Sequence, residues 1–192
     1  DISPNDNHAT QADIAKAPIL RKTAGGLWYL EFDGVDDFIL ASGVADLAAS
    51  TDLTMSYAMR ATGAVGIMAT HARSDSSYLG IYTDGSSSSF GTAGFASGTS
   101  EFIEVDGVSV ADTRGAVHDA IRDMDKVLTY GLSSLAVPGS GSGLKMGNGG
   151  NAGEAFFVEG RLYGAIILDS LASVEDRPVI DSGLSKLYGG SL

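Results

Sequence analysis

The eight residues Leu53-Thr54-Met55-Ser56-Tyr57-Ala58-Met59-Arg60 alternate large apolar side chains with small or polar ones. Successive side chains of a strand point to opposite faces, so this period of two predicts a strand with one buried face. Leu27-Trp28-Tyr29-Leu30-Glu31-Phe32 is equally rich in β-formers and stops at Asp33-Gly34, and Phe38-Ile39-Leu40 follows after Val35-Asp36-Asp37. That pattern predicts two strands joined by a tight turn, with Trp28 in the core and Tyr29 at its edge. Apolar runs at 66–70, 78–83 and 89–95, each bounded by Gly, Ser or Asp, fit the short, regularly spaced strands of an antiparallel sandwich and not a parallel βαβ fold. Glu101-Phe102-Ile103-Glu104-Val105 and Val108-Ser109-Val110 flank Asp106-Gly107, a pair suited to a type I′ turn because both central residues need positive φ. Residues 127–132, 156–158 and 161–168 supply the remaining strands.

Two segments change period. Within 113–123, Ala116, Val117, Ala120, Ile121 and then Met124 recur at helical spacing behind Asp112 or Thr113 as a cap, which predicts a short inserted helix with His118 on its surface beside Asp119. Near the C-terminus, Ser173 and Asp176 resemble a capping box with Asp in place of Glu, and Ile180, Leu184 and Leu187 share one face. A helix packed on the sandwich and ended by Gly189-Gly190 follows. Residues 1–23 are polar, carry Pro4 and Pro18 and show no period, so they read as an extended N-terminal arm, leaving 24–192 as one β-sandwich domain. The Gly/Ser/Asn-rich tract at 138–153 reads as a loop.

Composition narrows the partners. Glycine is 26 of 192 residues, about twice the usual share, while apolar content is an ordinary 44%, a mix that implies a packed core with many tight turns. A net charge of −12 repels phosphate backbones and anionic lipid heads, so nucleic acid is excluded as a partner, whereas cations, neutral sugars and protein chains suit the surface. With no cysteine there is no disulfide, thiolate nucleophile or zinc–thiolate site. No apolar run is long enough to insert in a membrane as a helix, and the start at Asp1 in place of Met points to a processed or partial product.

Four stretches carry a family resemblance. Leu27-Trp28-Tyr29-Leu30-Glu31-Phe32-Asp33-Gly34-Val35-Asp36-Asp37 resembles the "LxFDGVDDY" opening of laminin-G-like, concanavalin A-like domains, and residues 53–60 resemble the "FTxSxWxR" strand that follows it. Arg161-Leu162-Tyr163-Gly164-Ala165-Ile166-Ile167-Leu168, with the helix up to Tyr188-Gly189, is similar to the closing unit of such domains. Asn7-His8-Ala9-Thr10-Gln11 resembles the "GNHATQ" that precedes this module in bacteriophage and prophage proteins. The resemblance implies an all-β fold, an antiparallel jelly-roll sandwich with a short inserted helix and a C-terminal helix. It also implies a non-catalytic structural or attachment module of a phage or phage-like particle, located on the virion or outside the cell. Its partners would be other virion proteins or copies of itself, and host cell-surface polysaccharide. Because this superfold hosts many functions, a secreted carbohydrate-binding module is the alternative and a glycan-degrading enzyme the third reading.

The candidate chemistry is sparse. A retaining glucanase on this fold places carboxylates as E-x-D-x-x-E on one strand; the nearest match here runs from Glu101 through Glu104 to Asp106. In a regular strand Glu101 and Glu104 point to opposite faces and Asp106 falls in the turn, so a solvated strand edge is the expectation. Of the histidines, His8 lies in the arm and His71 opens a loop near Arg73, Asp75 and Tyr78. Arg73, Asp75, Tyr78, Tyr82 and Asp84 combine aromatic faces with hydrogen-bonding groups as a sugar site requires, and form the candidate glycan-binding set. Calcium is the one cofactor the resemblance implies, with Asp33, Asp36 and Asp37 as its candidates, although the same aspartates serve as turn chemistry. Asn148 and Asn151 offer further oxygens.

Overall fold

A computed structural model describes residues 8–41, 50–62, 66–74, 77–83, 98–135, 143–147 and 158–191, and for 66–74, 77–83 and 143–145 the backbone alone. The described strands are β1 (Ala9–Thr10), β2 (Ile19–Lys22), β3 (Trp28–Asp33), β4 (Ile39–Ala41), β5 (Leu53–Ala61), β6 (Gly66–Ser74), β7 (Ser77–Thr83), β8 (Thr99–Val105), β9 (Val108–Ser109), β10 (Lys126–Ser133), β11 (Gly143–Met146) and β12 (Glu159–Leu168). A smaller antiparallel sheet of five has the order β1-β4-β11-β6-β7, and a larger one of seven has the order β2-β3-β12-β5-β10-β8-β9. Helices α1 (Arg114–Ile121) and α2 (Asp176–Ser185) pack on these strands. The predicted segment at 89–95 lies outside the described residues.

The chain uses its turns differently from expectation in three places. Asp33 Oδ1 accepts from the backbone N–H of Val35 and of Asp36, as a tight turn requires, yet β3 and β4 belong to different sheets. Both edges of β3 are already taken, by β2 and β12, so the turn carries the chain across from one sheet to the other. The arm expected at 1–23 in fact supplies an edge strand to each sheet, β1 against β4 and β2 against β3. All six of its described strand residues are exposed, so pairing without burial left no alternation to read. The tract at 138–153, expected as loop, contains β11, which is too short for a period to show among the glycines.

The strand predicted to bury one face buries both. On one side Met55, Tyr57 and Met59 join Leu128, Tyr130 and Leu132 of β10, Ile103 and Val105 of β8, and Val117 and Ile121 of α1. Ala41 of the smaller sheet belongs to the same cluster, and Met146 packs against it. The Tyr57 and Tyr130 hydroxyls donate to Met55 Sδ at 3.5 and 3.0 Å, and burial pushes both phenols well above their ordinary pKa. On the other side Thr54, Ser56 and Ala58 are also buried, because α2 covers them.

Three residues sit opposite to expectation. Trp28 is 57% exposed while Tyr29 is 8% exposed. Trp28 borders the edge strand, with Lys22 Nζ 5.0 Å from its ring, whereas Tyr29 is covered by Tyr163 and by Arg161. His118 is 4% exposed, since α1 buries the stripe Arg114, Val117, His118 and Ile121, at i, i+3, i+4 and i+7. Thr113 caps this helix by accepting from Ala116 N–H at 3.2 Å, and Met124 falls beyond its end, exposed.

Helix α2 docks through Leu184, which packs on Ala58 and Val127 with Ile180, Tyr163 and Tyr188 around them. Burying a leucine in this way stabilises the contact by about 2 kcal/mol. The Ser173 hydroxyl accepts from Asp176 N–H at 3.1 Å, as the capping pattern predicted, and the chain leaves through Gly189 at a φ of 83°. One buried group works against docking. Asp181 is 2% exposed and accepts from the Thr129 hydroxyl at 2.5 Å, and no cation pairs with it among the described residues. Desolvation raises its pKa above the ordinary 3.8, helped by the nearby charges of Glu104 and Asp106 and opposed by the Thr129 hydrogen bond.

An aspartate raised in this way stabilises the fold only while protonated; the contribution is complete below its ordinary pKa and is lost as pH rises through the raised value. Asp181→Asn, neutral throughout, is therefore expected to melt at a higher temperature than the parent at pH 7, with the gap closing toward about pH 4. Thermal unfolding followed by circular dichroism at both pH values checks this; a gap that widens in acid contradicts it.

Candidate functional site

A concavity of about 410 Å³ lies at the β8 end of the larger sheet, bordered by Ser100, Glu101, Phe102, Glu104, Ser109, Asp112 and Arg177. Its shape follows from one irregularity. Gly131 pairs with Phe102 but Leu132 pairs with Ser100, so Glu101 is an extra residue opposite the Gly131–Leu132 step. A bulge of this kind re-aims side chains. Glu101 therefore bonds Ser133 of β10, on the same side as Thr129 and Glu104, instead of turning to the opposite face as alternation predicted. Glu101 is exposed, as expected of a solvated edge, but Glu104 is not: its carboxylate holds Arg177 Nη1 at 2.7 Å, with both side chains about five-sixths buried.

Phe102 forms the floor. Its ring edge lies on Gly131, where a Cβ would clash with it, and the Arg177 guanidinium stands over the ring at 4.0 Å. A carboxylate, a guanidinium and an aromatic ring are thus fixed against one another by β8, β10 and the first turn of α2. Asp106 stays in the hairpin turn as expected, with φ of 50° there and 74° at Gly107. It accepts from Val127 N–H at 2.9 Å and pairs with Lys126 Nζ at 2.6 Å. Three carboxylates against one guanidinium leave the groove acidic, with serine hydroxyls at its rim.

The other candidates are scattered. Arg73 lies in β6, at a register shift opposite the Ser77–Tyr78 end of β7, and Tyr82 pairs with Ile67 at the far end of that hairpin. Asp75, Asp84, Asn148 and Asn151 lie outside the described residues. His71 does not open a loop: it lies within β6, paired with Leu79 and Leu144. The ligand atoms of Asp33, Asp36 and Asp37 lie within 4.8 Å of one another, but they close the turn: Asp37 Oδ2 accepts from Asp33 N–H at 2.9 Å. Burial raises the pKa of Asp37, with the negative charges of Asp33 and Asp36 adding to it and the Asp33 hydrogen bond opposing it.

Sequence reasoning missed Arg177 and Phe102 as site residues. Arg177 is 73 positions from its partner Glu104, beyond any local pattern, but Gly131 inside a strand was a legible sign of close approach. No protein-family model, curated protein or solved structure matches the chain.

Gly131→Ala is expected to destabilise the fold by about 1–3 kcal/mol through overpacking against Phe102. In a Phe102→Ala background its cost should shrink, because the two positions share one contact. Urea unfolding of the four proteins in the cycle reads both values; strict additivity contradicts this account of the groove floor.

Proposed function

We propose that the chain is a non-catalytic recognition and attachment module, a β-sandwich of the laminin-G and concanavalin kind, serving a phage-like particle or a cell exterior and binding polysaccharide. The observation that carries the binding reading is the acidic groove of Ser100, Glu101, Phe102, Ser109, Asp112 and Arg177. Sugar hydroxyls are met by carboxylates, serine hydroxyls and a guanidinium in such a groove, and its charge selects neutral or amino-bearing sugars over uronates. The attachment role and the location rest on the resemblance of residues 7–11 to the stretch that precedes this module in phage proteins, together with the resemblance of the C-terminal unit from 161 to the closing unit of laminin-G-like domains. A hydrolytic alternative would use two carboxylates roughly 5–5.5 Å apart, one of them able to give up a proton. Glu104 is engaged by Arg177 and Glu101 by Ser133, which suits positioning better than proton transfer.

The test is a panel of neutral, amino-bearing and uronate-rich bacterial polysaccharides, run with calcium and with chelator. Binding to the first two groups, weakened about tenfold by Glu101→Gln or Asp112→Asn, is the expected result, since one charge-assisted hydrogen bond is worth about 1.5 kcal/mol. Loss on Arg73→Ala or Tyr78→Ala instead would move the site to the β6–β7 hairpin. Chelator sensitivity would bring in the Asp33, Asp36 and Asp37 cluster, and silence across the panel would remove the recognition role.

A further inference from the structure

Among the described residues the larger sheet ends in two open strands of opposite character. At one end all four residues of β2, Ile19-Leu20-Arg21-Lys22, are exposed, with Leu20 at 61%, and no described strand lies beyond them. At the other end both residues of β9 are exposed, Val108 at 67%, and again no described strand follows. The first edge carries Lys22 and Arg21, the latter held by Glu31 Oε2 of β3 at 2.8 Å, and the second borders the groove that holds Glu101, Glu104 and Asp112 against Arg177. A strand edge displays unpaired N–H and C=O groups that accept another strand, and charge on a single edge commonly guards against that. Opposite signs on the two edges of one sheet guard against like edges meeting and favour unlike ones.

The faces also match. Leu20 pairs with Leu30, and Leu30 with Leu162, on the core side of the sheet; Val108 pairs with Val105, which is buried in that same core. Arg21 lies on the other side, and so does Ser109, which pairs with Glu104. Continuing the sheet from one molecule to the next therefore sets exposed Leu20 beside exposed Val108 on one face and Arg21 toward the acidic groove on the other. The net charge of −12 makes any two copies repel as wholes, so contact needs a local charge match, and β2 brings Lys22 together with a half-exposed Arg21 that can share its guanidinium between Glu31 and the groove of the next copy.

We propose that copies of this chain associate head to tail, β2 of one against the β8–β9 edge of the next. The contact is heterologous, so repetition gives a ring if it closes and a filament if it does not. The inference rests on the attachment reading in naming a second copy as the partner.

Sedimentation velocity of the full chain tests it, with Leu20→Glu and Val108→Glu as edge blocks at exposed positions whose folding a circular dichroism melt confirms. The parent should exceed its 19.7 kDa mass increasingly with concentration and less so in high salt, and each variant alone should be monomeric. An equimolar mixture retains one intact junction and should form dimers and nothing larger. A monomeric parent overturns the proposal, as does a mixture that stays monomeric. So does a Val108→Glu protein that still associates, which would mean β2 pairs with β2. No polysaccharide enters this measurement, so a silent binding panel leaves it standing, and monomers here leave polysaccharide binding standing.

Discussion

The burial of β5 on both faces is the constraint from which the rest of the described fold follows. A strand inside a sheet carries two rows of side chains, and each row needs its own cover. The row of Met55, Tyr57 and Met59 is large and reaches α1 and residues of the smaller sheet. The row of Thr54, Ser56 and Ala58 is small, which lets a helix lie close. Gly164 on the neighbouring strand does the same for the end of the C-terminal segment, since a Cβ there would stand 2.4 Å from Leu187 Cδ1. One polar member of the second row is used as an anchor: the Thr54 hydroxyl donates to the Ser170 carbonyl and accepts from Ala172 N–H, fixing the approach to α2.

That same cover builds the groove. Arg177 stands in the first turn of α2, so docking of the helix delivers the guanidinium to Glu104 and to the Phe102 ring together. Asp181, one turn further along, faces Thr129 of β10, the strand whose Gly131 accommodates that ring. Stability of the helix contact and shape of the groove are therefore one property, and substitutions under α2 will change both.

What the sequence made legible is local. The Asp106-Gly107 hairpin, the capped helix behind Thr113, the end at Gly189 and most strands are written in neighbouring residues, and the structure has them. What it obscured is relational. His118 and Trp28 were misplaced because burial depends on which element covers a residue, and a lone histidine or tryptophan does not encode that. The bulge at Glu101 was invisible because alternation assumes an undisturbed ladder, and the pairing of Glu104 with Arg177 joins segments 73 residues apart. The edge strands in 8–22 failed to register for the opposite reason: their side chains stay in water, and hydrophobic patterning detects only strands that bury something.

The placement of β12 bears on the order of events during synthesis. Its residues pair with β3 on one side and with β5 on the other, so two strands made early are joined only through one made more than a hundred residues later. A nascent chain lacking β12 holds the β2–β3 pair apart from the β5, β10, β8 and β9 group, with raw edges on both. Contacts of such long sequence separation close slowly, because loop entropy must be overcome before they form. The larger sheet thus has the character of an arch completed by its keystone: it can become a single cooperative unit only once the ribosome has released β12, and until then β3 and β5 are the surfaces a chaperone would have to shield.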